Sequence, residues 1–164
     1  MRYLAQVAIG LATFVLGASF VIAGLWPALA FVAAWGGMWL AGQRLGWGWT
    51  GSAGLTGFVV MAVFGIWSDV TPLGALAATV AAVGAWDLQR FRERLDAVDR
   101  VEDEASLTGA HLRRLLPVLL AGALAGFVAL EVRLALSFGW ALLLGALAIL
   151  GLSQAIGFIQ RRGE

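Results

Sequence analysis

Apolar residues fall in long runs along this chain, at about 4–25, 27–42, 53–67, 71–86, 115–135 and 138–159, and polar residues collect between them. A bilayer core is crossed by roughly 17–25 residues of helix, so each run predicts one membrane-spanning helix. The second and fourth runs are the shortest, about 24 Å of helix each at a rise of ~1.5 Å per residue. Both can lengthen into flanking tryptophans and amphipathic turns. Pro27 and Pro72 stand where the second and fourth spans open, a position where proline has no amide hydrogen to waste, and Thr71 can cap the helix it precedes. Ser137 holds the same place before the sixth run. Tight turns between runs 1–2, 3–4 and 5–6 therefore predict three helical hairpins.

The hairpins share short motifs. "LATFV" (11–15), "LTGFV" (55–59) and "LAGFV" (124–128) lie in the odd runs, while Gln43-Arg44, Gln89-Arg90 and Gln160-Arg161 close the even ones. They raise a triple repeat, although Gln-Arg is also an ordinary exit from a helix into water. Orientation follows from arginine. With the N-terminus inside, Arg2, Arg44, Arg90, Arg92, Arg94, Arg100, Arg113, Arg114, Arg161 and Arg162 are cytoplasmic and only Arg133 is not, which predicts an N-in, C-in protein. Trp26, Trp67 and Trp140 would form the outer aromatic belt, and Trp47, Trp49 and Trp86 the inner one.

One segment breaks the apolar pattern: "DLQRFRERLDAVDRVEDEASLTGAHLRR", residues 87–114. Leu88, Phe91, Leu95, Val98 and Val101 follow 3–4 spacing, so the segment reads as a cytoplasmic amphipathic helix continuing the fourth span and broken at Thr108-Gly109 before the fifth. Its arginines lie nearest the bilayer, where anionic headgroups attract them, and its acidic patch at 102–104 lies farther along. Such an arm either lies against the membrane and the bundle or docks a soluble protein partner.

Composition agrees with the pattern. The 164 residues are 61% hydrophobic and 13% charged, with a mean hydropathy of +0.88. A soluble domain carries about twice that charged fraction, so the lipid bilayer is the expected partner and a multi-pass membrane protein, of the bacterial cytoplasmic membrane, the expected class. The whole chain, 1–164, reads as a single membrane domain. The first run is too long for the ~7–15 apolar residues of a signal peptide and reads as a span. A net charge of +1 gives no nucleic-acid footprint. With no cysteine there is no disulfide, thiolate nucleophile or Cys-ligated metal.

Small residues predict helix packing, because close backbone approach drives association in lipid. Gly10, Gly17 and Gly24 recur at heptad spacing, and Gly122 and Gly126 form a GxxxG that could join spans within one chain or join two copies in a homo-oligomer.

Candidate chemistry is sparse. Glu131 and Arg133 interrupt the fifth run, in "FVALEVRLALSFGW" (127–140). A charge in the bilayer centre costs about 2.5–3.5 kcal/mol on insertion scales, so Glu131 is expected to face the bundle in the outer leaflet and Arg133 to snorkel outward. His111 is the sole histidine, and Asp87 and Glu104 are the carboxylates that could approach it for acid–base work or a shared metal. No HExxH, paired-histidine or phosphate-loop motif accompanies them, so neither a metal nor a cofactor is expected. The layout with "WALLLGALAILG" (140–151) resembles small bacterial multi-span proteins of the HdeD type through apolar stretches without a specific motif, and the arm at 87–114 departs from that pattern.

The sequence thus predicts an all-α integral membrane protein of six spans. Its expected role is a non-enzymatic accessory or assembly component. The alternatives are a small oligomeric transporter or channel using Glu131 and Arg133, and an interfacial enzyme using Asp87, Glu104 and His111.

Overall fold

The computed structural model of the chain describes residues 2–96 and 104–131. Every described element is a helix: α1 (Arg2–Ile22), α2 (Trp26–Arg44), α3 (Thr50–Trp67), α4 (Pro72–Asp96) and α5 (Glu104–Glu131). Three stretches, Tyr3–Ile22, Thr50–Trp67 and Ser106–Glu131, are long and apolar enough to cross a membrane.

The first four helices close a ring, with α1 against α2, α2 against α3, α3 against α4, and α4 back against α1. Residue spacing explains the closure. On α1 the buried face is Ala5, Ile9, Ala12, Leu16 and Phe20, a 3–4 repeat. On α4 it is Ala75, Ala78, Ala82 and Ala85, all essentially inaccessible. An alanine stripe lets a neighbouring backbone approach closely, which is how α4 can touch two helices at once.

The large side chains of the ring sit over glycines. Trp39 of α2 is fully buried between Gly54 and Phe58 of α3, its ring centroid 5.7 Å from that of Phe58. Trp35, one turn earlier, lies over Gly57 and donates its indole N–H to the Gly54 carbonyl at 3.3 Å. Thr13 of α1 lies against Gly36 of α2, and Thr50 against Gly42. At the α1–α2 turn Gly24 takes φ +74°, the left-handed conformation that ends a helix at little cost to glycine.

The fourth helix runs on past 86 to Asp96, as the 3–4 spacing of Leu88, Phe91 and Leu95 predicts, whereas α5 passes unbroken through Thr108-Gly109, where a break is expected. One glycine in a helix costs about 1 kcal/mol, which the surrounding leucines, arginines and alanines outweigh. The arm at 87–114 is therefore the end of α4 and the start of α5, with 97–103 outside the described residues. The "FV" motifs are also not equivalent: Phe58 is buried, whereas Phe14 is 73% and Phe127 44% exposed. Phe14 falls off the Ile9–Leu16–Phe20 stripe, while Phe58 falls on the inward stripe of Gly54, Phe58 and Ala62. The expected sixth span at 138–159 and its turn at Ser137 lie outside the described residues.

The glycine sockets give a direct test. A methyl group on Gly54 would collide with the six-membered ring of Trp39, whereas one on Gly48 meets open space. Gly54→Ala is expected to destabilise the bundle by roughly 1–3 kcal/mol, the usual cost of overpacking. Gly48→Ala is expected to change it by less than about 0.5 kcal/mol, as at other unconstrained surface sites. Thermal unfolding in detergent compares the two, and equal midpoints would remove Trp39 from its socket.

Candidate functional site

Polar side chains gather at one end of the ring, where α1 begins and α2 and α4 end. The series starts inside the core. The Trp39 indole N–H donates to Gln89 Oε1 at 2.8 Å, and Gln89 Nε2 donates to Glu93 Oε1 at 3.0 Å. Gln89 is 3% exposed and lies against Gly51, where a Cβ would come within 3.1 Å of its amide. A buried amide needs partners on both ends, and this one has them: α2 supplies the donor and the next turn of α4 the acceptor. One turn on from Leu88, Arg92 Nε reaches Asp96 Oδ2 at 3.4 Å. Arg90 points the other way, donating to Ser52 Oγ of α3 at 2.9 Å with its guanidinium 5.7 Å from the Trp86 ring centroid.

Gln43, near the end of α2, differs from Gln89. Both ends of its side-chain amide are buried and neither has a hydrogen-bond partner among the described residues. It borders two adjoining recesses of about 370 and 500 Å³, which also share Gly46, Arg92 and Asp96.

The second polar grouping joins α4 to α5. His111 Nε2–H donates to Asp87 Oδ2 at 2.6 Å, and the imidazole lies flat on Phe91, centroids 4.0 Å apart and planes 7° from parallel. Asp87 and Phe91 are one turn apart on α4, so they present to His111 together. The pair is partly exposed, with the imidazole 24% and the carboxylate 33% accessible. The sequence placed Asp87, Glu104 and His111 as candidates for one cluster. The structure brings Asp87 and His111 together. Glu104 opens α5 seven residues before His111, and its side chain lies outside the description. No group of three His, Asp or Glu side chains suited to hold a metal occurs among the described residues. The geometry does what a carboxylate–imidazole contact does anywhere: it fixes the tautomer and orientation of the ring.

Glu131 is the last residue of α5, and its side chain is exposed. Arg133 lies outside the described residues. Of the packing glycines, Gly17 stands 2.9 Å, at a built Cβ, from Leu29 of α2, and Gly126 stands against Leu76 of α4; Gly10, Gly24 and Gly122 face open space.

Sequence reasoning passed over Gln43 and Gln89, reading both as helix exits. The available signal was tryptophan: a buried indole needs an acceptor, and Trp39 has few candidates near the ends of neighbouring helices.

The α4–α5 tie is testable as a double-mutant cycle. Asp87→Ala and His111→Ala, alone and together, are expected to show a coupling of roughly 0.5–3 kcal/mol in thermal unfolding. Additive effects would mean that the contact ties nothing.

No protein-family model, no curated protein and no solved structure matches this chain, so the HdeD-type resemblance gains no support and any functional argument rests on the chain's own residues.

Proposed function

We propose that this chain is a non-enzymatic, multi-pass protein of the bacterial cytoplasmic membrane that acts as an accessory or assembly component, and that α5 is its association helix. The observation that carries the reading is α5. It is a 28-residue helix, and no part of its apolar stretch is buried. Val118 is 68% and Val128 55% exposed, and a side chain built on Gly122 would meet nothing among the described residues. Helices in lipid associate through small residues that let backbones approach, and an open glycine on an apolar helix is where a second copy or a partner span can come close. The six-span, N-in, C-in arrangement as three hairpins belongs to the same reading and rests on the apolar runs and the arginine distribution along the sequence.

Gly122 and Gly126 separate association from folding. Gly126→Leu would drive a side chain into Leu76 and is expected to lower the thermal midpoint of the isolated protein. Gly122→Leu is expected to leave that midpoint unchanged and to abolish recovery of a partner, or of a second tagged copy, from membranes solubilised in mild detergent. Recovery as a lone species with or without the Gly122 substitution would overturn the association role.

Orientation has its own test, made simple by the absence of native cysteine. In intact cells a membrane-impermeant thiol reagent is expected to label Ser68→Cys and to spare Gly48→Cys until the cells are permeabilised. The reverse pattern would invert the topology.

A second reading rests on Asp87 and His111. A carboxylate-oriented imidazole is half of an acid–base device, and with Nε2 engaged by Asp87 its other nitrogen, Nδ1, is the one left for a substrate. That reading requires an activity lost in His111→Gln.

A further inference from the structure

From the polar end of the ring we infer that the paired recesses around Gln43 form a binding site for a zwitterionic headgroup that carries a primary ammonium beside an anionic phosphate, the phosphoethanolamine chemistry. The inference rests on the membrane reading above, because it takes this end of the ring to lie at headgroup level.

The first observation is the Gln43 amide. It is withdrawn from solvent and has no hydrogen-bond partner among the described residues, although Gln6, Arg44, Arg92 and Asp96 border the same recess. A buried amide left without partners is costly, and native structures tolerate few of them without a reason. Gln89, two helices away in sequence and bordering the same recess, shows what a satisfied glutamine looks like here. The Gln43 amide carries two N–H donors and a carbonyl acceptor for a group that reaches it.

The second observation is charge. Among the described residues, the charged ones bordering the two recesses are Arg44 and Arg92, Glu93 and Asp96, two of each sign. A pure anion would meet both carboxylates, and a pure cation both guanidinium groups. A zwitterion can match the two signs at once. Arg92 is already committed to Asp96 through Nε, which leaves its terminal nitrogens to meet a phosphate, since a guanidinium carries five N–H donors in a fixed fork. Asp96, 68% exposed, keeps acceptor capacity for an ammonium.

The third observation is size and place. Recesses of about 370 and 500 Å³ fall in the range of small-ligand sites, roughly 300–1,000 Å³. Trp47 lines the smaller recess and stacks on Trp49 at 6.0 Å, both rings exposed. Exposed indoles at helix ends mark the membrane–water interface, which is where a lipid headgroup lies.

The experiment uses the full chain in detergent and reads its thermal midpoint with phosphatidylethanolamine, phosphatidylcholine, phosphatidylglycerol or free phosphoethanolamine added. Phosphatidylcholine replaces the ammonium hydrogens with methyl groups, and phosphatidylglycerol lacks the cation, so both are expected to raise the midpoint less than phosphatidylethanolamine. Gln43→Leu, which removes the orphaned amide at similar volume, is expected to fold and to lose the phosphatidylethanolamine increment. Asp96→Asn is expected to shrink the difference between phosphatidylethanolamine and phosphatidylcholine. A response to free phosphoethanolamine as large as that to the lipid assigns the site to the soluble form; a response to the lipid alone assigns it to the bilayer. Equal increments from all three lipids with none from phosphoethanolamine, or increments unchanged in Gln43→Leu, would overturn the inference. Flotation with phosphatidylethanolamine–phosphatidylglycerol vesicles tests the membrane reading separately: a chain that fails to float with them sinks that reading, whereas one that floats without discriminating headgroups sinks only the site.

Discussion

Trp39 is the side chain through which three helices of the ring meet. Its ring fills the space that Gly54 leaves open on α3 and leans on Phe58, and its N–H is held by Gln89 of α4. Each contact constrains the others. Were Gly54 larger, the indole could not lie flat against α3; were Gln89 apolar, a buried N–H would be left without an acceptor, at a cost of roughly 1–3 kcal/mol. In lipid, apolar surface gains little by hiding from the solvent, so stability comes from close contact and from satisfied polar groups. Trp39 supplies both in one residue, and the polar series that continues through Glu93 toward the end of α4 starts from it.

The contrast with α5 is physical. Helices α1–α4 present small or indented faces to one another, alanines on α4 and glycines on α2 and α3. Between α4 and α5 a leucine meets a glycine at two places, Leu119 of α5 beside Gly84 and Leu76 of α4 beside Gly126. Elsewhere an apolar groove of about 640 Å³, bordered by Ala8, Leu73, Val80, Leu116 and Leu120 among others, separates α5 from the ring. The Asp87–His111 contact is the polar fastening at one end of that seam. Pro117, inside α5, cannot donate to the carbonyl one turn earlier, which leaves an acceptor free in the helix that packs least.

How much of this was legible in the sequence depends on which force set each feature. Apolar run lengths placed α1, α2 and α3 to within a few residues, because burial of a helical stripe is a local property of the chain. The run of α4 past 86 is legible in the 3–4 spacing of Leu88, Phe91 and Leu95, whereas the break expected at Thr108-Gly109 is outweighed by the helix-forming residues around it. Asp87 and His111 were legible as a pair only by residue type; their meeting depends on the crossing of α4 and α5, which no spacing rule encodes. Gln43 and Gln89 share a motif and differ in fate because one lies beneath a tryptophan and the other beside a recess. The three Phe-Val motifs failed as a guide to equivalence for the same reason, since facing is decided by the partner helix.

The ring has a further consequence for synthesis. Among the described residues every buried one lies at or before Gln89, so what closes the ring is complete before α5 leaves the ribosome. The chain can therefore assemble vectorially, with α1–α4 locking around Trp39 first and α5 arriving at a finished surface. Of the described helices, α5 is the one whose arrival can be delayed, redirected or shared with another chain without undoing the core.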